Sequence, residues 1–268
     1  EDHAGLMILP TDTPLGEDIK KALGLDDTVF EIEVTPNRGD WAGMIGVARE
    51  LAAYYGSELK LPAVNITESG KAAGDYASVT IEDADLCPRY AARILRNVVI
   101  RKSPPWMCAR LIAAGQRPIN NVVDITNYIL LETGHPLHAF DYDKLAENRI
   151  VVRRARQDES ITTLDGEPRK LTEDMLVIAD AKDPQAVAGI MGGGDSEVDE
   201  NTNHILLESA YFDPRSVRAT ARKLGLVSEA AQHFQRGADP EIALYAINRA
   251  ATLMQELADA EVAPGILD

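Results

Sequence analysis

Cysteine is nearly absent from this sequence. The 268 residues include two cysteines, Cys87 and Cys108, which form no Cys-x-x-Cys pair. The sequence therefore predicts neither a disulfide framework nor a zinc cluster. So few cysteines, without disulfide spacing, favour a reducing compartment, and we expect the protein to be cytoplasmic.

Basic residues are also in short supply. Lysine and arginine number 27 against 43 acidic residues, a formal net charge of -16. This balance argues against broad, non-specific affinity for nucleic acid, which needs many cations near phosphates. Any contact with RNA is therefore expected to be local.

Long apolar runs are missing as well, so we predict no membrane partner. The chain starts Glu1-Asp2-His3, without an initiator methionine or a signal peptide. We expect it to be a segment of a longer protein.

The spacing of apolar residues and turn residues predicts an α+β fold in three parts. These are a small helical and strand unit over residues 1–58, a linker over 59–77, and a larger unit over 78–268 in which strands and helices interleave. Strands are predicted at 6–9, 29–34, 78–81, 89–100, 150–154, 175–179, 186–191 and 204–208.

Helices are predicted from capping residues, from closing glycines and from apolar spacing. Asp40 is the expected N-cap of a helix over residues 41–55, and Ser103 that of a helix tolerating two prolines in its first turn. Further helices are predicted at 17–23, 121–132, from Asp213-Pro214 to Leu224, and from Asp239-Pro240 to about Ala258.

A set of short motifs, in order along nearly the whole chain, resembles the beta chain of bacterial phenylalanyl-tRNA synthetases. They are Thr35-Pro36-Asn37-Arg38, Gly46-Val47-Ala48-Arg49-Glu50, Cys87-Pro88-Arg89-Tyr90, Arg117-Pro118-Ile119-Asn120-Asn121-Val122-Val123-Asp124-Ile125-Thr126-Asn127-Tyr128, Pro136-Leu137-His138-Ala139-Phe140-Asp141, Thr163-Leu164-Asp165-Gly166, Val177-Ile178-Ala179-Asp180, Gly189-Ile190-Met191-Gly192-Gly193, Leu207-Glu208-Ser209-Ala210-Tyr211-Phe212 and Phe234-Gln235-Arg236-Gly237-Ala238-Asp239-Pro240.

The resemblance implies that residues 78–268 form a module of fused mixed sheets, in several layers with flanking helices, that hydrolyses tyrosine wrongly attached to the phenylalanine tRNA. It implies contact with the 3′ end of tRNA(Phe), a separate alpha subunit in a heterotetramer, and use of ATP and magnesium elsewhere in the parent enzyme. No cofactor is expected in this segment, and no aminoacylation by it alone. Ser228, His233 and Gln235 depart from the family pattern, so a role that only braces the synthetase or contacts RNA stays open.

Editing of this kind needs a group that recognises a hydroxyl. A site that hydrogen-bonds a hydroxyl rejects the analogue lacking it by about 10⁴–10⁵, and a carboxylate is a strong acceptor. Glu208 follows the apolar run 205–207, and the family's tyrosine-reading carboxylate falls on this position. From pattern alone, Glu208 at a strand end facing water is an equal alternative.

The resemblance also places His138, Ser228 and Ala230 in the pocket, and Gly192 is a further candidate because it has no Cβ. His138 is the candidate catalytic residue, near the ester, and the alternative is a helix-end histidine bonded to a backbone carbonyl. Gly192 would let backbone approach a ligand, or form a plain turn. Ser228 would donate a hydrogen bond, cap a helix, or do both.

Other constellations in the sequence carry less weight. His135 and His138 have a metal-like spacing, but Pro136 intervenes and no third ligand is evident, so no metal is predicted. No nucleophile motif stands out, which makes covalent catalysis an unfavoured reading. Arg215, Arg218 and Arg222 share a helix face, by default a solvated one.

Overall fold

The computed structural model describes residues 9, 11 and 13–268. The strand predicted at residues 6–9 lies outside them, apart from Leu9. Eight α-helices occur in the described part: α1 (Ile19–Ala22), α2 (Met44–Tyr55), α3 (Ala73–Tyr76), α4 (Pro105–Ala113), α5 (Asn121–Thr133), α6 (Pro214–Leu224), α7 (Glu229–Gln235) and α8 (Ile242–Ala258). None of these helices is long and apolar enough to cross a membrane.

The strands form two larger sheets and a hairpin. They are β1 (Ser78–Ile81), β2 (Arg89–Arg96), β3 (His138–Asp141), β4 (Arg149–Arg154), β5 (Ser160–Thr162), β6 (Pro168–Lys170), β7 (Leu176–Ala179), β8 (Pro184–Val187), β9 (Met191–Gly192), β10 (Ile205–Tyr211) and β11 (Glu261–Val262). One sheet has the order β11-β2-β10-β3 and the other β1-β4-β7-β8-β9, while β5 pairs with β6. Among the strand pairs of the described residues, β1–β4 alone is parallel. This mixture confirms the α+β prediction.

The four-stranded sheet is buried on both faces, because alternate residues of a strand point to opposite sides. Ile205 and Leu207 of β10 belong to a core shared with α5 and α8. Leu206 and Ala210 belong to the other core, which includes Val177 and Ile178 of the five-stranded sheet. The layers are therefore helices, sheet and sheet, and Glu208 shares the face of Leu206 and Ala210, which lies between the two sheets.

Several helix ends follow the sequence rules. Asp213 Oδ1 accepts from the backbone N–H of Ser216 at 2.8 Å, and Pro214 opens α6. Gly225 then ends the helix in the left-handed conformation at φ 65°. The predicted helix to Leu224 is confirmed.

Other local predictions are wrong. Residues 29–34 form no strand, since partial alternation without a partner strand does not fix an extended ladder. Asp40 does not cap α2; it binds Arg38, and Gly43 is the N-cap residue. Ser103 donates to Asp124 Oδ2 at 2.5 Å instead of capping α4.

The segment predicted as one strand over residues 186–191 is two short strands. Gly189 turns the chain between them with φ +68°, and a Cβ there would meet Phe212 and Phe234. The turn brings β9 back alongside β8. This reversal puts Gly192 at the edge of the five-stranded sheet.

The division into 1–58, 59–77 and 78–268 stays a prediction. The described residues show contacts across it. A Cβ on Gly43 would lie 2.2 Å from the nitrogen of Gly134, so the start of α2 abuts the end of α5. In the predicted linker, Glu68 bridges to Val262, and α3 begins at Ala73, whose N–H donates to Pro264.

Candidate functional site

A pocket of about 260 Å³ opens between the two larger sheets, at the edge where β3, β9 and α7 meet. All five residues predicted for the site line it: Glu208, His138, Gly192, Ser228 and Ala230. Most of the remaining wall is apolar, with Leu130, Leu137, Ile178, Val187, Ile190 and Phe234 among its members. A cavity at the small end of ligand sites suits a single side chain.

Glu208 provides a carboxyl group inside this apolar wall. It lies within β10 and its residue surface is 7% exposed, which rules out the alternative of a strand-end glutamate facing water. Burial raises its pKa to about 7, and the nearby Tyr90 phenol partly opposes the rise. Oε2 is buried and makes no hydrogen bond to the described residues, and a buried polar atom without a partner carries a free-energy cost.

His138 lies directly across from Glu208. It pairs with Glu208 in the antiparallel register of β3 and β10, so the two side chains share a face of the sheet. The ring packs edge-on against Phe140 at 4.4 Å between centroids. His138 therefore begins a strand; it is not at a helix end.

The ring nitrogens of His138 are not held by the protein in the part of the chain that the structure describes. The histidine rings that hydrogen-bond among these residues are His204, to Asp143, and His233, to Gly134, and His138 makes no such bond. Burial lowers the pKa of His138 to about 4, so the ring is neutral at pH 7. A base with so low a pKa accepts protons poorly.

Gly192 gives the histidine ring its space. A Cβ at this position would lie 2.5 Å from His138 Cε1 and 2.8 Å from its Nε2. Gly192 stands in β9 and its carbonyl accepts from the N–H of Leu164 at 3.0 Å. The residue is part of a strand, so the plain-turn reading is wrong.

Ser228 and Ala230 come from the start of α7. Ser228 Oγ accepts from the N–H of Ala231 at 3.1 Å and donates to the carbonyl of Ile190 at 2.6 Å. The hydroxyl therefore caps the helix and ties it to the β8–β9 turn. His233 Nδ1 is 3.0 Å from the carbonyl oxygen of Gly134, a second tie that holds α7 over the pocket.

Sequence reasoning missed several wall residues. Thr126 and Asn127 of α5, Leu164, Met191 and Glu229 also line the pocket. Asn127 is half-buried and adds an amide to the wall. A signal existed, because it stands in the motif that ends Thr126-Asn127-Tyr128, but helical spacing alone does not show which face meets a cavity.

Other candidates lie away from the pocket wall. His135 is fully buried beside Phe234 and has a pKa lowered to about 4 by burial. No group of three or more potential ligands that could hold a metal ion occurs within the described residues. On α6, Arg218 donates to the carbonyl of Gln235 at 3.0 Å.

Residues 86–259 match the family model of the B3/4 domain. This is more than half of the chain, so the chain belongs to the B3/4 domain family. Over its full length it is also similar to the beta subunit of bacterial phenylalanine–tRNA ligases, which confirms the resemblance drawn from the motifs.

Three relatives give the measure of this similarity. The beta subunit of phenylalanine–tRNA ligase is 52% identical in Geobacter metallireducens and 53% in Geobacter sulfurreducens, each over 267 residues. The subunit from Moorella thermoacetica is 54% identical over 268 residues. All of this chain is covered in each case, and it spans about a third, 33%, of the length of these curated relatives.

A solved structure is also similar. It is an N-terminal fragment of the phenylalanyl-tRNA synthetase beta-subunit from Pyrococcus horikoshii, with 16% identity and a TM-score of 0.45. The match covers 88% of this chain and 65% of that one.

Proposed function

We propose that this chain carries a hydrolytic editing site that removes tyrosine from tRNA(Phe). The observation that carries the proposal is the buried carboxyl of Glu208 in the wall of a small apolar pocket. A tyrosine side chain would fill the apolar part and donate its phenol hydrogen to Glu208. Phenylalanine would leave the carboxyl unpaired, and a site of this kind discriminates by about 10⁴–10⁵.

The chemistry asks little of the protein, because an aminoacyl ester is already activated. Placing a water and stabilising the developing oxyanion supply several kcal/mol each. With a pKa of about 4, His138 is better suited to orienting that water or the terminal ribose than to removing its proton. Gly192 keeps the ring in place, and Ser228 and Ala230 close the pocket from α7.

We also propose the wider setting. The chain acts as part of a phenylalanine–tRNA ligase beta subunit, beside an alpha subunit, and receives the 3′ end of tRNA(Phe). Attachment of phenylalanine, with ATP and magnesium, takes place elsewhere in that enzyme, which we expect to be cytoplasmic. Support comes from similarity over the full chain to ligase beta subunits.

The test is deacylation of Tyr-tRNA(Phe) by the intact ligase with Glu208→Ala. We expect a loss of at least 100-fold. Ser209→Ala is the matched control, since Ser209 is on the same strand but points to the opposite face, where it donates to Ala243 at 2.9 Å. Wild-type rates in Glu208→Ala would refute the assignment.

Ligand binding provides a second test of the proposed function. Crystals of the chain soaked in tyrosine should show its ring in the pocket with the phenol at Glu208, and phenylalanine should not bind comparably. Equal binding of both, or of neither, would favour a module that only braces the synthetase.

A further inference from the structure

Tyr90 is a buried phenol that the proposed function has not used. It lies on β2, is 1% exposed, and does not itself line the pocket. Its Oη is buried and has no hydrogen-bond partner among residues 13–268. A buried hydroxyl without a partner is costly, so its presence here calls for a reason.

The sheet register places this phenol beside Glu208. Glu208 is directly opposite Ala92, and Tyr90 is two residues along β2 from that position. Residues two apart on a strand share a face, and such diagonal neighbours are within reach of an aromatic side chain. Tyr90 and Glu208 thus approach each other behind the pocket wall.

Two buried polar atoms without hydrogen-bond partners lie near each other here. Tyr90 Oη and Glu208 Oε2 are both buried and lack hydrogen bonds of ordinary geometry in the described chain. They are still close enough to act on each other: the phenol lowers the pKa of Glu208, and burial together with the Glu208 charge raises the pKa of Tyr90. The neighbouring thiol of Cys87 is engaged elsewhere, donating to the carbonyl of Arg89 at 3.2 Å.

We propose that Tyr90 is a positioning residue that donates a hydrogen bond to Oε2 of Glu208 and so leaves Oε1 for the hydroxyl of the ligand. The proposal rests on the proposed function and adds a specificity residue to it. One carboxylate is then held between two phenols, one from the protein and one from the substrate. The fixed inner bond sets the direction in which the outer oxygen points.

The groups around Glu208 are few. His138 faces it from β3, Tyr90 and Cys87 from the β2 side, and Glu229 lines the same pocket from α7. Within this set the Cys87 thiol already donates to Arg89, whereas the Tyr90 phenol is a buried donor without a partner among the described residues. A hydrogen bond to a charged group is stronger than one to a neutral group, so the phenol favours ionised Glu208.

The direct test is the titration of Glu208 in the chain by carbon-13 NMR, its signal assigned by loss in Glu208→Gln. With Tyr90→Phe, we expect its pKa to rise by roughly one unit, because a hydrogen bond to the charged form is lost. Tyr142→Phe is the control: its phenol donates to the carbonyl of Tyr76 at 2.6 Å, outside the pocket wall, and its removal should leave the titration unchanged. An unshifted Glu208 in Tyr90→Phe overturns the proposal.

A second measurement needs no mutation, should Tyr90→Phe fail to fold. Chain labelled with 3-fluorotyrosine has more acidic phenols, which donate more strongly, so Glu208 should titrate at lower pH. The same titration curve as in unlabelled chain would overturn the proposal.

Activity separates positioning from a general structural effect. In the intact ligase, Tyr90→Phe should move the rise of deacylation with pH to higher pH, while the rate well above that rise stays within about threefold of wild type. A uniform loss at all pH values would overturn the positioning role. If wild-type ligase fails to deacylate Tyr-tRNA(Phe), the proposed function is refuted, yet the NMR titration still decides whether Tyr90 acts on Glu208.

Discussion

Replacing Glu208 by glutamine should stabilise the chain at neutral and alkaline pH. The carboxyl is buried and its pKa is raised to about 7, chiefly by desolvation. An unfolded glutamate has a pKa of about 4.3, so between these two values the folded state holds a proton that the unfolded state has released. Stability therefore falls as pH rises through this window, and the loss is complete above the folded pKa.

The magnitude follows from the size of the window. Against the ordinary value of 4.5, the shift to about 7 corresponds to about 3 kcal/mol at 1.36 kcal/mol per pK unit. Glutamine carries no charge to desolvate and avoids this cost. We expect Glu208→Gln to match wild type near pH 4.5 and to exceed it by up to about 3 kcal/mol at pH 8.

Urea denaturation of both proteins at half-unit steps from pH 4.5 to 8.5 measures the difference directly, since other titrating groups are common to both. Glu173→Gln, at an exposed glutamate before β7, is the control for loss of one charge and should show no such slope. A constant difference between wild type and Glu208→Gln across the range would refute the claim that burial raises the pKa of this carboxyl. A greater stability of wild type at pH 8 would do so more strongly.

Three further outcomes follow from the contacts. Gly192→Ala should lower the deacylation rate at least tenfold with a stability cost of only about 1 kcal/mol, since the new methyl displaces the His138 ring; an unchanged rate would show that the ring position is unimportant. Ser228→Ala should cost about 1–2 kcal/mol in urea denaturation, because α7 loses its cap and its tie to the β8–β9 turn. Arg153→Met should lower the free energy of unfolding by about 3–5 kcal/mol, because Glu159 loses its ion-pair partner. Adding Glu159→Leu should recover much of this loss, and equal losses in the single and the double variant would contradict the prediction.

The sequence was informative wherever a local rule has one outcome. The Asp213-Pro214 start and the Gly225 end specify α6 on their own, because capping and left-handed closure involve only neighbouring residues. The apolar run before Glu208 likewise indicated a buried strand. The partial alternation of apolar and polar residues at 29–34 gave a wrong prediction, because a strand exists only where another strand completes its hydrogen bonds.

Short strands were not predicted, because they too depend on a partner strand that is distant in the sequence. β3 spans only His138–Asp141, and its pairing with β10 is a contact between distant parts of the chain. Without that pairing, His138 reads as a residue near a helix end. The reversal at Gly189, which returns β9 to β8, was hidden by a continuous apolar pattern.

The sequence by itself determined the α+β class, most helix positions and, through its ordered motifs and residue types, five of the residues that line the pocket. The tertiary structure alone decided their surroundings: the two-sheet burial that raises the pKa of Glu208, the enclosure that lowers the pKa of His138, and the diagonal approach of Tyr90. The physical reason is that desolvation and cross-strand contact are properties of packed neighbours. Glu208 has a carboxyl in any fold, but we propose that its burial between the two sheets is what lets it recognise a ligand hydroxyl.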